Sequence, residues 1–167
     1  MKLFGFVFVM CVLFVSCASA PDGIAGTSGR SGGNPAPARK ESSISWRSMN
    51  SYDQHGKKTG FYKKSGTTIN QYDRHEKKTG SLRETSSGYV SYDKGGAKTG
   101  SYKTSGNTTT QYDQHGLKIG TYKTGSNGVI TSSDQHGRKT GSFKKDSSGR
   151  ITEYDKHGSK VGSYRQR

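Results

Sequence analysis

All ten tyrosines of the chain lie after residue 51, and four of them are followed directly by a lysine or an arginine. A phenol ring can be hydroxylated to a catechol and oxidised to a quinone, which lysine amines and histidine imidazoles attack. This pattern predicts side chains that become covalently joined through oxidised tyrosine. The cross-linking candidates are Tyr52, Tyr62, Tyr72, Tyr89, Tyr92, Tyr102, Tyr112, Tyr122, Tyr154 and Tyr164, with Lys58, Lys78, Lys98, Lys118, Lys139 and Lys160. In the alternative reading, the tyrosines only pair across the strands of a sheet.

The pattern Asp-x-His is a second candidate for chemistry, as in Asp53-Gln54-His55. Carboxylate and imidazole groups both ligate divalent metals. Aspartate followed by glycine three residues later is also the preferred sequence of a type I turn. We favour the turn, and no metal site or cofactor is predicted.

Catalytic motifs are absent from the sequence, which has no Walker loop, zinc-ligand spacing or G-x-S-x-G elbow. Each polar residue type recurs in register, whereas an active site needs one asymmetric constellation. We therefore expect a protein that is not an enzyme. Asn107-Thr108-Thr109 is an acceptor sequence for N-glycosylation in a eukaryotic secretory pathway.

These residues belong to a repeat of about 20 residues that covers residues 51–167. The aspartates Asp53, Asp73, Asp93, Asp113, Asp134 and Asp155 mark six units, spaced by 20, 20, 20, 21 and 21 residues. A lysine and a glycine follow in the same register in all six units. The five histidines of the chain occupy one position of the repeat.

Turn and strand signals alternate within each unit. Asp-Gln-His-Gly predicts one turn, and Ser-Gly pairs predict another half a repeat later. Between them lie runs rich in β-branched and aromatic residues, such as residues 67–72. The predicted fold is therefore mostly β or disordered, an array of six β-hairpin repeats of about 20 residues without a large core.

Residues 1–50 differ in composition from the repeats that follow them. Residues 1–20 form a predicted signal peptide, with one lysine before an apolar run and small residues after it. Cleavage fits after Ala18 or Ala20, and a lipid anchor at Cys17 is the alternative. Residues 21–50 predict a flexible leader rich in glycine, serine and proline, in which Trp46 is a local anchor. Both cysteines lie in the signal, so we expect a secreted, extracellular protein without disulfides.

Charge defines the expected partners. The formal net charge is +15, and loss of Lys2 with the signal leaves +14. Such a chain attracts acidic polymers and surfaces, and its repeats suit self-association with other matrix proteins. A tyrosine-oxidising enzyme would act in trans. Because the chain carries a secretory signal, we expect no nucleic acid as its native partner.

The Tyr-Asp-x-His-Gly-x-Lys units, followed by Gly-x-Tyr-Lys, resemble the tyrosine-, glycine-, lysine- and histidine-rich vitelline eggshell proteins of flatworms. They are also similar in chemistry to the adhesive foot proteins of mussels. The resemblance covers residues 51–167 and implies that the ten tyrosines become DOPA and that the lysines act as nucleophiles.

A second resemblance is to bacterial cell-wall-binding repeats, whose units are also hairpins of about 20 residues. Residues 112–122 carry the Tyr-Asp-x-x-Gly part of that pattern, but tyrosine, phenylalanine or leucine stands where those repeats have tryptophan. The sequence thus predicts a secreted structural protein of a cross-linked layer, such as eggshell or an adhesive matrix. The alternative is a surface-located repeat module that binds cell wall or acidic glycan.

Overall fold

The computed structural model describes residues 48–166. The predicted signal peptide at residues 1–20, Trp46 and most of the predicted leader lie outside the described residues. Ser48, Met49 and Asn50, at the end of that leader, already belong to the first strand.

Each repeat unit supplies two β-strands joined by a short turn. Their threonine, tyrosine and isoleucine residues suit a pleated, half-buried surface. The strands are β1 (Ser48–Asp53), β2 (Lys58–Ser65), β3 (Thr68–Asp73), β4 (Lys78–Thr85), β5 (Gly88–Asp93), β6 (Lys98–Ser105), β7 (Thr108–Asp113), β8 (Lys118–Thr124), β9 (Ile130–Asp134), β10 (Lys139–Lys145), β11 (Ile151–Asp155) and β12 (Lys160–Gln166). No helix occurs in this described range, so the mostly-β prediction is confirmed.

The twelve strands form one closed barrel. Every strand pairs antiparallel with its neighbours in sequence, and β12 returns to pair with β1. This closing pair runs from Met49 opposite Gln166 to Asp53 opposite Gly162. Closure leaves no sheet edge unpaired, which removes the exposed backbone groups that a string of separate hairpins would carry.

Closure also creates a core, and the prediction of an array without one is wrong in this respect. Alternate side chains of all twelve strands point to a common interior, whereas separate hairpins would have left them on a thin surface. The buried hydrophobic residues, only 1 to 6% exposed, are Met49, Tyr62, Ile69, Leu82, Tyr89, Tyr102, Tyr122, Ile130, Phe143, Ile151 and Tyr164. Tyrosine therefore supplies much of the core that the aliphatic content could not.

The predicted aspartate turn joins the two strands of each of the six hairpins at one end of the barrel, with glycine at its fourth position in five units and Glu76 in the second. Asp53 Oδ1 accepts hydrogen bonds from the backbone N–H groups of His55 and Lys57, each at 2.9 Å. Gly56, with φ of 82°, donates its N–H to the Asp53 carbonyl. We call this end, residues 53–58, 73–78, 93–98, 113–118, 134–139 and 155–160, the aspartate rim.

The glycine two positions after each recurrent lysine lies where neighbouring backbones approach closely. A Cβ atom at Gly100 would stand 2.5 Å from the Tyr112 carbonyl oxygen, and one at Gly141 would stand 2.6 Å from that of Tyr154. A register shift beside this glycine, as between Ser51 and Tyr52, marks a β-bulge in the hairpin. Only glycine fits without displacing the next strand, which explains its recurrence.

A search of residues 48–166 for a helix long and apolar enough to cross a membrane finds none.

Candidate ligand-binding lumen and outer tyrosine face

The tyrosines divide into two sets because successive residues of a strand face opposite sides of the sheet. The inward set is buried and comprises Tyr62, Tyr89, Tyr102, Tyr122 and Tyr164. The outward set is half-buried on the exterior and comprises Tyr52, Tyr72, Tyr92, Tyr112 and Tyr154. The ten predicted cross-linking tyrosines are thus not equivalent.

The interior is filled unevenly along the barrel. Near the end opposite the aspartate rim, Met49, Ile69, Ile130 and Ile151 are almost fully buried and close the lumen. Glycines line the wall toward the aspartate rim, so less side-chain volume is available there. A cavity of about 710 Å³ remains and opens at the aspartate rim. This volume lies within the range of pockets that enclose small organic ligands.

Aromatic rings and polar groups share the wall of this cavity. Tyr62, Tyr122, Phe143 and Tyr164 form the aromatic part. Ser51, Gln71, Ser132 and Glu153 form the polar part, and they occupy the inward position directly before the outward residue of β1, β3, β9 and β11. The wall therefore offers the flat apolar faces of aromatic rings together with side chains that can form hydrogen bonds with a ligand.

Hydrogen bonds hold the lumen side chains in place. Tyr164 donates its hydroxyl to Glu153 Oε2 at 2.6 Å. Gln71 Nε2 donates to the hydroxyl of Tyr62 at 3.3 Å. Outside the cavity lining, Gln111 accepts a hydrogen bond from Tyr122 at 3.2 Å, so the aromatic wall continues into a polar network. Fixed side chains of this kind lower the cost of ordering a site when a ligand enters.

Glu153 is the charged residue that sequence analysis missed. Burial raises its pKa, and the hydrogen bond from Tyr164 partly opposes that shift. Burial, followed by the negative charge of Glu153, raises the pKa of Tyr122 and of Tyr164. In the repeat register, Glu153 takes the position held by Ser51, Gln71, Ser91, Gln111 and Ser132. A glutamate at an inward position that is uncharged in the other five units was the feature of the sequence that could have identified this residue.

The outer face brings the outward tyrosines and the predicted lysines together. In the hairpin registers, Tyr52 is opposite Lys58, Tyr92 is opposite Lys98 and Tyr112 is opposite Lys118. The same pairing joins Tyr72 to Lys78 and Tyr154 to Lys160. Lys139 is opposite Ser133. Five of the six predicted lysines therefore stand across a strand pair from a tyrosine.

A second basic residue covers several of these outward rings. Arg83 lies 5.6 Å from the ring centre of Tyr92, and Lys103 lies 5.6 Å from that of Tyr112. Lys144 and Arg165 lie 5.9 and 6.0 Å from the rings of Tyr154 and Tyr52. These distances fit cation–π contacts. On the exterior, four of the five outward tyrosine rings therefore contact a basic side chain.

The remaining predicted residues lie in turns at the two ends of the barrel. The Asp-x-His residues form the turns, and within residues 48–166 no group of three or more His, Cys, Asp or Glu side chains could hold a metal ion. Asn107 is exposed in the turn between β6 and β7, and its Nδ2 donates to the Thr124 carbonyl at 3.1 Å. Its side chain is thus at the surface, although it is hydrogen-bonded to the last residue of β8.

Comparison of the chain with protein-family models, with curated proteins and with solved structures gives no match. The resemblances to eggshell and foot proteins and to cell-wall-binding repeats stay predictions.

Proposed function

We propose that the barrel is a secreted, non-enzymatic binding module that takes a small organic molecule into its lumen. The observation that carries the proposal is the cavity of about 710 Å³, open at the aspartate rim and lined by aromatic rings and polar side chains. Pockets that bind small molecules typically combine apolar walls with a few placed polar groups. This function belongs to the binding-module class, with the ligand inside the barrel instead of on the repeat surface.

A lumen-filling variant tests this function. Ser132 is buried and lines the cavity, whereas Ser133 follows it on the outer face. A panel of small aromatic, sugar and amine compounds would be screened by NMR for shifts at the amides of Ser51, Gln71 and Glu153. We expect binders in the unmodified chain, loss of binding in Ser132→Phe, and retained binding in Ser133→Phe.

Two results would contradict the lumen function. One is a panel in which no compound shifts the lumen amides. The other is binding that Ser132→Phe leaves unchanged, because a ligand unaffected by filling the cavity must bind elsewhere. Circular dichroism of both serine variants would show that they keep the sheet.

A second proposal is the cross-linked structural layer, and the outer face favours it. Each outward tyrosine stands opposite a lysine, so a quinone formed there would have an amine across the strand pair. In that reaction dioxygen oxidises the phenol to the quinone, and the amine adds to the ring. The buried tyrosines lie inside the closed barrel, away from an oxidising enzyme.

Treatment of the folded chain with tyrosinase and dioxygen tests the second function. We expect oxygen gain and lysine adducts at Tyr52, Tyr92 and Tyr112, detected by peptide mass spectrometry. Tyr62 and Tyr102 should remain unmodified until the chain is unfolded in urea. Equal modification of both sets in the folded chain, or oxidised tyrosine without lysine adducts, would count against the structural role.

A further inference from the structure

The charge of the cavity wall is opposite to the charge of the whole protein. The formal net charge of the chain is +15. Among the described residues that line the cavity, however, the charged ones are Asp53, Asp73, Glu153 and Asp155, and none is a lysine or an arginine. The basic residues of the strands point outward, as Lys103 and Arg83 do over their tyrosine rings. The lumen is therefore an acidic compartment in a basic protein.

The four carboxyl groups lie at two levels. Asp53 and Asp155 stand in the turns at the mouth, where their carboxylates accept backbone hydrogen bonds from Lys57 and Ser159 at 2.9 and 2.8 Å. These bonds lower the pKa of both aspartates, so they keep their negative charge. Glu153 lies deeper, where burial disfavours its charge. The carboxyl groups of the wall therefore extend from the entrance into the aromatic part of the cavity, where Glu153 accepts the hydrogen bond from Tyr164.

An anion in this cavity would meet carboxyl groups at the mouth and again at Glu153, and charge repulsion is stronger at Glu153 because that carboxyl group is buried. A neutral ligand would leave the carboxylate of Glu153 without a counter-charge. A cation would offset that cost, and the surrounding faces of Tyr62, Tyr122 and Tyr164 attract positive charge as well. Carboxylate and ring together select the charge of the ligand.

We propose that the lumen binds organic cations, with Glu153 as the carboxylate that contacts the ammonium group and the inward tyrosines as the walls around its organic part. This inference rests on the proposed lumen function and assigns its ligand class. It separates two surfaces by charge, because the basic exterior suits acidic polymers and the acidic interior suits cations.

Three probes of similar shape and different charge test the ligand class. They are 2-phenylethylammonium, the neutral 2-phenylethanol and the anionic 3-phenylpropanoate, each titrated into the full chain at neutral pH by calorimetry and by NMR of the lumen amides. We expect the ammonium to bind about tenfold or more tightly than the alcohol, the size of one charge-assisted hydrogen bond. The propanoate should bind more weakly than the alcohol.

Two variants locate the charge selection. Glu153→Gln keeps the shape of the side chain and an acceptor for Tyr164, so it should reduce the preference for ammonium to about twofold or less while the alcohol binds as before. Glu84→Gln is the matched control, because Glu84 lies on the exterior and pairs with Lys64 at 3.2 Å. This control should leave all three affinities unchanged.

The possible outcomes distinguish a failure of the cation assignment from a failure of the lumen function. If the alcohol or the propanoate enters the lumen as tightly as the ammonium, the cation assignment is overturned and the lumen function stands. The same conclusion follows if Glu153→Gln leaves the preference intact. If neither these probes nor any compound of the wider panel shifts the lumen amides, the lumen function itself is wrong, and the cation assignment with it.

Discussion

The aspartate turn requires one residue of each hairpin to adopt a left-handed backbone conformation. Glycine supplies it in five units, for example at Gly56 with φ of 82°. In the second unit Glu76 adopts φ of 63°, and it is the one non-glycine residue in residues 48–166 with positive φ. The second hairpin therefore carries a local strain that the other five avoid.

Replacing Glu76 with glycine should stabilise the protein. Relief of the left-handed strain contributes about 1 kcal/mol to the free energy of unfolding, which urea denaturation would measure. Glu76→Ala is the charge control, because it removes the carboxylate but leaves a side chain at positive φ. Gly56→Glu introduces the same strain in the first unit and should destabilise by a similar amount. Equal stability of Glu76→Gly and Glu76→Ala would show that charge, and not backbone strain, matters there.

The glycine beside the bulge is required for a different reason, which is the close approach of the neighbouring strand. A methyl group at Gly100 would meet the carbonyl oxygen of Tyr112 on β7, so Gly100→Ala must push two strands apart. We expect a loss of about 1–3 kcal/mol in the free energy of unfolding, typical of overpacking. Ser101→Ala, on the outer face of the same strand, should change it by less than about 0.5 kcal/mol. Similar effects of the two substitutions would argue against the close backbone approach.

At this scale, sequence reasoning identified the turns but missed the lumen carboxylate. Asp53 and Gly56 have local consequences, because turn geometry depends on four consecutive residues. Glu153 acquires its role from Tyr164 on the next strand and from the rings across the barrel. When strands distant in sequence form the environment of a residue, the sequence of its own repeat unit says little about the role of that residue.

At the scale of elements, the strands follow from local patterns, whereas their closure does not. Tyr, Thr and Ile between turn residues predict each hairpin, and inward and outward residues alternate as in β7. Whether the last hairpin meets the first depends on strand number, tilt and stagger summed over the sheet. No single unit contains that information, so an open string of hairpins and a barrel share the same local sequence.

A disulfide across the closing strands tests the barrel directly. Asn50 on β1 is opposite Arg165 on β12, more than a hundred residues later. In a chain with Cys11 and Cys17 changed to serine, Asn50→Cys with Arg165→Cys should form a disulfide on mild oxidation. Closing a loop of this length should stabilise by about 4 kcal/mol if the geometry is unstrained. Non-reducing electrophoresis and urea denaturation would measure both effects.

The control places the second cysteine on a strand across the barrel. Thr110 lies on β7, six places from β1 in the circular strand order. Asn50→Cys with Thr110→Cys should therefore form no intramolecular disulfide. If both pairs cross-link equally, or if neither does, the chain is not held in the closed register.

For the whole molecule, the low aliphatic content led to the expectation of little core. Closure changes this balance because twelve short strands share one interior, and tyrosine fills it. The phenol rings bury apolar area, and several of their hydroxyls find partners such as Gln71, Gln111 and Glu153. The same residue type that predicted surface chemistry thus also holds the barrel together.

Because the core contains tyrosine hydroxyls, the free energy of unfolding should decrease at alkaline pH. Burial raises the pKa of Tyr62, Tyr122 and Tyr164 above the ordinary value near 10. The stability from these protonated tyrosines is fully present below pH 10 and falls as pH rises, because the unfolded chain ionises first. The expected slope is about 1.4 kcal/mol per pH unit for each such tyrosine. Urea denaturation from about pH 9 to 11 would measure it, with Tyr122→Phe giving a shallower slope than the unmodified chain. A flat profile, or a Tyr122→Phe slope equal to that of the unmodified chain, would contradict a tyrosine core.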